Sequence, residues 1–524
     1  MVRMRLKDRS AAAVARLLGV LPVALLAACA ALAGCSAQRG TDARLVRRLD
    51  AILNRHADSG ARVSARVIDL GTRRVLYQTN IDVPRMPASN MKLLTVATAL
   101  DVLGADDSLK TYLAVDGDDL WLIGTGDPAV ADARIARTRN RAPLAFLDDW
   151  TRALRDRGIT RIKGDLVYYD GAFESLRIHP SWEHDDLVHW YAAPVSGLNL
   201  NDNCIDVTVT PTSPGQPVDF AVTPPTHTVV VINNCVTGDG GTPSIDRIPF
   251  SDVYVIGGRC AKRRSLKSKP VGDPGYFFAD VLRAHLLKNG ITIDGRIRSS
   301  PVALGGVDPP PADTIVAVYE TPLSDILWRI LQNSQNLFAE CLGKRAGQVF
   351  DAAHGERRPG SWAGADRAIR GFLSRCGIDH RGLVVADCSG LSRDNRVTVR
   401  LVTDLLAVMF DHPAGAALRE HMARPGGNGT LRKRMKDIRE HVYAKTGYIR
   451  GVRALSGYVH TDGDRWLCFS IIYNNIPGSV QPFNKLQDEV CRVLVRWPET
   501  DEQPGAPPSP SWARVSPGSI VTGG

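Results

Sequence analysis

Three short motifs stand in order along the chain: Ser89-Asn-Met-Lys92, Ser334-Gln-Asn336 and Lys445-Thr-Gly447. Ser89 and Lys92 are three positions apart, so one helical turn puts the hydroxyl and the amine on the same face. A serine hydroxyl is a poor nucleophile until a base takes its proton. Lysine can be that base once its pKa falls from ~10.4. Desolvation at a buried helix start and a second cation, Lys445, both push it down. Bringing it near neutrality corresponds to roughly 4 kcal/mol, within reach of a partly buried site that faces another ammonium. Ser334 could then relay a proton toward a leaving group, while Asn336 donates hydrogen bonds to a substrate amide or to Lys92. Lys445 and Thr446 offer a cation and a hydroxyl to a terminal carboxylate. Gly447 leaves a strand edge where an extended peptide can add with no Cβ in the way. The backbone N–H groups of Ser89 and Tyr448 would be the oxyanion donors.

Each motif alone is weak, since S-x-x-K or K-T-G arises by chance in many chains. Ser89 has a plain use as a helix cap, Ser334 as a helix breaker and Lys445 as a solvated strand charge. Order and setting favour chemistry. Pro84 and Pro87 stop extended structure ahead of an apolar helix, roughly Ser89 to Leu103, ended by Gly104. Ser334 sits at a break between helical stretches. Lys445 lies in Val442–Gly447, the first of three strand-like runs with Arg453–His460 and Trp466–Tyr473; Thr461-Asp-Gly-Asp is a hairpin signal between the last two. A helix over about 43–56, then alternating Val63, Ala65 and Val67 with a turn at Gly71, open the globular part. A helix over about Phe483–Trp497 closes it.

With 44% hydrophobic and 23% charged residues, the 524-residue chain is neither disordered, collagenous nor coiled-coil in composition. Its length predicts two or three domains. Between about 113 and 300, short β-like runs alternate with Gly/Pro/Asn turns. They predict inserted β-rich material over 113–299, within a unit made of 43–112 plus 300–497. A Pro/Gly/Ser-rich tail over 498–524 has a disordered composition. The predicted fold class is α+β, an antiparallel sheet flanked by helices.

Residues 1–34 read as a secretion signal: Arg3, Arg5, Lys7, Arg9 and Arg16 precede the apolar run from Leu17 to Gly34. Leu32-Ala33-Gly34-Cys35 resembles a bacterial lipobox, with Cys35 as the lipidated residue; a cut near Ala33 or an uncleaved anchor are the alternatives. No other stretch is apolar enough for a membrane, which excludes a multi-span protein. The formal net charge is +10, part of it in the signal. The remainder suits anionic wall or membrane surfaces and is no sign of nucleic-acid binding. Eight further cysteines show no CxxC or zinc-like spacing, though Cys204, Cys235 and Cys260 are near enough for one disulfide. His179, His184 and His189 recur every five residues, on no single helix face, so no metal site is expected. Gly124-Thr-Gly-Asp-Pro-Ala129 fits a turn better than a dinucleotide cradle, because Asp127 would repel a pyrophosphate and Pro128 lacks an N–H.

The three motifs together resemble those of the penicillin-recognising serine enzymes. Ser334 lies 245 positions after Ser89, far too many for a compact β-lactamase. The spacing is similar to that of class C low-molecular-mass penicillin-binding proteins, the D-alanyl-D-alanine carboxypeptidase/endopeptidases that carry extra domains in this gap. Further matches run over most of residues 43–495: Gly124-Thr-Gly-Asp-Pro128, Ser334 to Glu340, Asp387-Cys-Ser-Gly-Leu-Ser-Arg-Asp-Asn395 and Gly427-Asn-Gly-Thr-Leu431.

The resemblance implies Ser89 as acyl-enzyme nucleophile, Lys92 as base, Ser334 and Asn336 as second element, and Lys445 and Thr446 as carboxylate binders. It also implies a recognition pocket for the free amino group of a peptide stem. Trp182 to Pro194 resembles that pocket's sequence and nominates Asp186 and Tyr191, with Arg393; Asp185 is the competing register. Expected partners are peptidoglycan peptides, β-lactams and a membrane reached through the lipid; the expected location is the periplasm or cell envelope, and no cofactor is expected. Two positions depart from the family pattern: Tyr448 stands where Thr is usual, and Cys388 replaces a small Gly. The rival readings are a β-lactamase-like hydrolase and a wall-binding protein left inactive by Tyr448.

Overall fold

Strands from the front and the back of the described part of the chain meet in one sheet. In the computed structural model, which describes residues 42–300, 311 and 313–498, strand Arg62–Asp69 lies between Val75–Thr79 and Trp466–Asn474. Its register with the latter runs from Arg62 opposite Asn474 to Asp69 opposite Leu467. Val452–His460 and Val442–Ile449 complete a five-stranded antiparallel sheet, with the Lys-Thr-Gly strand at its edge. The predicted secretion signal, Cys35 and nearly all of the predicted tail lie outside the described residues.

Alternation along these strands sends neighbouring side chains to different cores. Val67, Leu455 and Val459 join a cluster with Leu45, Leu49 and Leu53 of a helix over 42–53, and with Leu486, Val490 and Leu494 of the closing helix Gln481–Val495. Ile68, Ala454 and Tyr458 face the other way, onto helices Met91–Leu103, Asn336–Ala353 and Val399–Asp411. Met91–Leu103 is buried without interruption from Met91 to Leu100, as an apolar helix at the centre of a packed unit must be. This is the α+β arrangement that the sequence indicated.

A second five-stranded sheet is mixed. Ser108–Asp116 pairs antiparallel with Asp119–Gly124 and Ile315–Pro322, while Leu166–Tyr169 runs parallel to Asp119–Gly124 and to Ile297–Ser299. Helices Ala145–Asp156 and Pro274–Lys288 cover it through Phe146, Trp150, Phe277 and Phe278. The Gly124–Ala129 segment is a structural turn. The buried Asp127 carboxylate accepts hydrogen bonds from Ala129 N at 2.8 Å and Thr321 Oγ1 at 2.7 Å, and a Cβ on Gly124 would lie 2.2 Å from Gly197 O. All eight cysteines of the described residues are free thiols, Cys204, Cys235 and Cys260 among them. No helix among the described residues is long and apolar enough to cross a membrane.

Candidate active site

Pro87 leads into a single 3-10 turn, Ala88–Asn90, which continues directly into Met91–Leu103. Ala88 has φ +46°, a left-handed conformation that costs a non-glycine residue of order 1 kcal/mol or more. Gly390 presses on its carbonyl so closely that a Cβ there would lie 1.9 Å from Ala88 O. The turn is thus clamped, and it presents Ser89 at the mouth of the helix. No side chain caps this helix start, so Ser89 is not spent as a cap.

Lys92 is fully buried one turn further in. Its Nζ donates to Ser89 Oγ at 3.1 Å, Asn336 Oδ1 at 2.7 Å and Ser389 O at 2.7 Å. Asn336 therefore accepts from Lys92 rather than donating to it, because the atom it turns to the amine is its amide oxygen, which has no hydrogen to give. Its Nδ2 donates instead to Tyr191 O at 2.8 Å. Burial brings the Lys92 pKa down to about 7, against the opposing pull of Glu340 and Asp387. Lys445, also fully buried, is held well below its ordinary value by burial and by the charge of Lys92.

Ser334 lies between helices Leu323–Leu331 and Asn336–Ala353 with φ +62°. The strained turn is held from behind. Buried Gln335 donates to Asp202 Oδ2 at 2.7 Å and accepts from Asn336 N at 2.9 Å, and Arg329 donates to Asn333 Oδ1 at 3.0 Å. Across the cleft Lys445 Nζ donates to Ser334 Oγ at 2.8 Å and to Thr446 O at 2.9 Å. Thr446 Oγ1 donates to Thr430 Oγ1 at 2.9 Å. Gly447 is small for a different reason from the one its strand-edge position suggests. A Cβ there would sit 2.8 Å from Pro87 O and 3.2 Å from Asn90 Oδ1, so glycine is required where the strand meets the serine turn.

Two acids that carry no role in the sequence reading organise this floor. Glu340, completely buried, accepts from Cys388 N at 3.0 Å, Ser389 N at 2.8 Å and Trp362 Nε1 at 2.8 Å. Burial, with the charge of Asp387, pushes its carboxyl up to about 7. Asp387 accepts from Gly390 N, Ser392 N, Trp182 Nε1 and Asn395 Nδ2, at 2.6 to 2.9 Å. The Asp387–Asn395 block is therefore a loop wound around one carboxylate, and it delivers the Ser389 carbonyl to Lys92. The signal for Glu340 was its position four residues after Asn336, on the same helix face. Cys388 fits because residue 343 is glycine, whose missing Cβ would meet its Sγ at 2.3 Å.

Above the floor opens a cavity of about 680 Å³, lined by Ser89, Ser334, Asn336, Thr446 and Tyr448 and also by Asp185, Asp186, Tyr191 and Arg393. Tyr191 donates its hydroxyl to Asp186 Oδ1 at 2.8 Å. Arg393 donates to Arg450 O at 3.0 Å and lies 3.6 Å from Glu183 Oε1. Both registers of the acidic stretch, Asp185 and Asp186, face the cavity, and Glu183 joins them. Every catalytic and substrate-binding candidate singled out in the sequence thus lies on the lining of one cleft, in its buried floor or, for Gly447, in the strand beside it; Cys35 lies outside the described residues. No group of three or more His, Cys, Asp or Glu among the described residues is placed to hold a metal ion.

Comparison with known proteins matches the chain to a family. The model of the D-Ala-D-Ala carboxypeptidase 3 (S13) family matches residues 45–492. The D-alanyl-D-alanine carboxypeptidase of Actinomadura sp. (strain R39) is 33% identical over 488 residues, covering 88% of this chain and 86% of the relative. Penicillin binding protein 4 (dacB) from Haemophilus influenzae has the same fold, with a TM-score of 0.70 at 21% identity over 86% of this chain and 99% of that one. The same protein complexed with a novel β-lactam gives a TM-score of 0.65 at 20% identity, with the same coverage of both chains. On the extent of the family match and of that 33%-identical relative, the chain belongs to the D-Ala-D-Ala carboxypeptidase 3 (S13) family.

Proposed function

We propose that the protein is a serine-type D-Ala-D-Ala carboxypeptidase/endopeptidase of the penicillin-binding kind, acting on peptidoglycan stem peptides through an acyl-Ser89 intermediate. The observation that carries this reading is the 3.1 Å contact between Lys92 Nζ and Ser89 Oγ, in a site whose burial lowers the lysine to about 7. A neutral Lys92 takes the Ser89 proton as Oγ attacks the carbonyl carbon of the penultimate residue. The developing oxyanion is met by the backbone N–H groups of Ser89 and Tyr448. Ser334, hydrogen-bonded to Lys445, passes a proton to the departing amine, and water then hydrolyses the ester. Thr446 and Lys445 meet the carboxylate of the leaving residue.

In the same cavity Asp186 with its partner Tyr191, together with Asp185 and Glu183, suits the free amino group of the stem, and Arg393 lies beside Glu183. In this reading the catalytic unit comprises 43–112 plus 300–497, with 113–299 as insertion. Export on the N-terminal signal and anchoring through lipid on Cys35 would place it in the cell envelope. The complex of the Haemophilus influenzae protein with a β-lactam supports β-lactam binding in this cleft, and the reading predicts acylation of Ser89 by penicillins. The test is labelling by a fluorescent penicillin: wild type should be labelled and Ser89→Ala should not, and equal labelling of both would refute the assignment.

A further inference from the structure

Among the described residues two arginines of the cleft wall, Arg450 and Arg453, have no carboxylate paired with them, and of the two only Arg453 has a buried, unpartnered Nε. Arg434 is ion-paired with Asp488 at 2.7 Å, and Arg393 has Glu183. Arg453 lines the same cavity, yet among the described residues no carboxylate pairs with it, and its Nε is buried without a hydrogen-bond partner. Burial chiefly disfavours its charged form, the repelling Arg434 adds to that, and the Tyr448 side chain acts against both. A buried guanidinium N–H left unmade is costly, and a ligand carboxylate would offset that cost.

The strand register says where that ligand would lie. Arg453 is the direct cross-strand partner of Tyr448, and cross-strand partners share a face. The Tyr448 ring stacks on the guanidinium, 4.4 Å from centroid to Cζ, and the tyrosine is 56% exposed. Thr446 shares that face two residues back along the strand, about 7 Å away, a span an arginine side chain covers. Tyr448 has no short side-chain hydroxyl to offer a carboxylate at this position, whereas Arg453 presents a planar fork suited to bidentate capture.

We propose that Arg453, held in place by the Tyr448 ring, is a specificity-determining residue that binds the α-carboxylate of the leaving residue beside Thr446. This rests on the peptidase reading above and adds a residue to it. The test compares stem peptides ending in D-Ala-D-Ala as free acid and as C-terminal amide. Arg453→Gln should lower kcat/KM for the acid roughly 10- to 100-fold, mainly through KM, and leave the amide within about threefold. Arg453→Lys should recover part of the loss. Equal losses on acid and amide, or no loss on the acid, would overturn the proposal. Calorimetric binding of the two peptides to Ser89→Ala protein, with and without Arg453→Gln, reads the same contrast without turnover. A protein that prefers the acid through Arg453 but never releases D-Ala contradicts the peptidase reading alone; one that releases D-Ala with no acid preference contradicts the Arg453 assignment alone.

Discussion

The floor and the mouth of the cleft are built on different principles. In the floor, Lys92, Lys445, Glu340 and Asp387 are all fully buried. Lys92 is held by Asn336 and Ser389 from distant segments as well as by its neighbour Ser89, and Asp387 by Trp182 from a distant segment and by Gly390, Ser392 and Asn395 of its own loop. At the mouth, Tyr448 and Trp190 are 56% and 40% exposed, and the proposed recognition groups Asp186 and Tyr191 sit in short 3-10 turns. Chemistry needs a desolvated and over-determined amine; substrate choice needs reachable side chains that can be exchanged without unfolding the protein. The floor should therefore fail catastrophically when altered, and the mouth by degrees.

The largest effect expected from that contrast is at Lys92. Lys92→Met keeps the volume and removes the base, and the rate of acylation by penicillin should fall by about 10³- to 10⁴-fold, measured by rapid-quench labelling. A fall of less than tenfold would mean that another group takes the proton. Glu340→Ala comes next. It leaves the Ser389, Cys388 and Trp362 N–H groups buried and unmade, at a cost of roughly 3 kcal/mol or more. The denaturation midpoint should drop, and acylation should slow as the Ser389 carbonyl drifts from Lys92. An unchanged midpoint would show that the loop around Asp387 holds without it.

Acidity probes the same floor. Protonating Lys92 removes the acceptor for the Ser89 proton, so acylation should fall about tenfold per pH unit below about 7 and level off above it. A limb near the ordinary lysine value would mean that burial does not lower the amine. At the mouth the smallest effect is expected: Asp186→Asn should raise KM by about tenfold for stem peptides with a free amino group, with little change in kcat or for acetylated peptides. A kcat loss instead would place Asp186 with the floor.

The division between floor and mouth also explains what could be read from the sequence. Ser89 and Lys92, one helical turn apart, were legible because helix geometry alone brings them together. Lys445 was legible from a strand between turn signals. Strands at the front and back of the globular part were legible from the alternation of Val63, Ala65 and Val67 and from the strand-like runs Arg453–His460 and Trp466–Tyr473. Glu340 and Asp387 lay in plain view in matched blocks, but their work is to hold backbone N–H groups of a loop, and such contacts leave no periodic trace. Gly447 was assigned to the substrate side, because a sequence gives no sign that Pro87 and Asn90 press on it from the other. The hydrogen-bond direction at Asn336 was likewise set by a distant carbonyl, that of Tyr191. The mixed pairing of the second sheet was hidden because short apolar runs carry no sign of strand direction.

The most direct measurement is the intact mass of the protein after incubation with benzylpenicillin, followed by peptide mapping. The account predicts one penicilloyl adduct, located on Ser89 and absent from Ser89→Ala. An adduct on any other residue, or an unmodified mass at saturating penicillin, would contradict it.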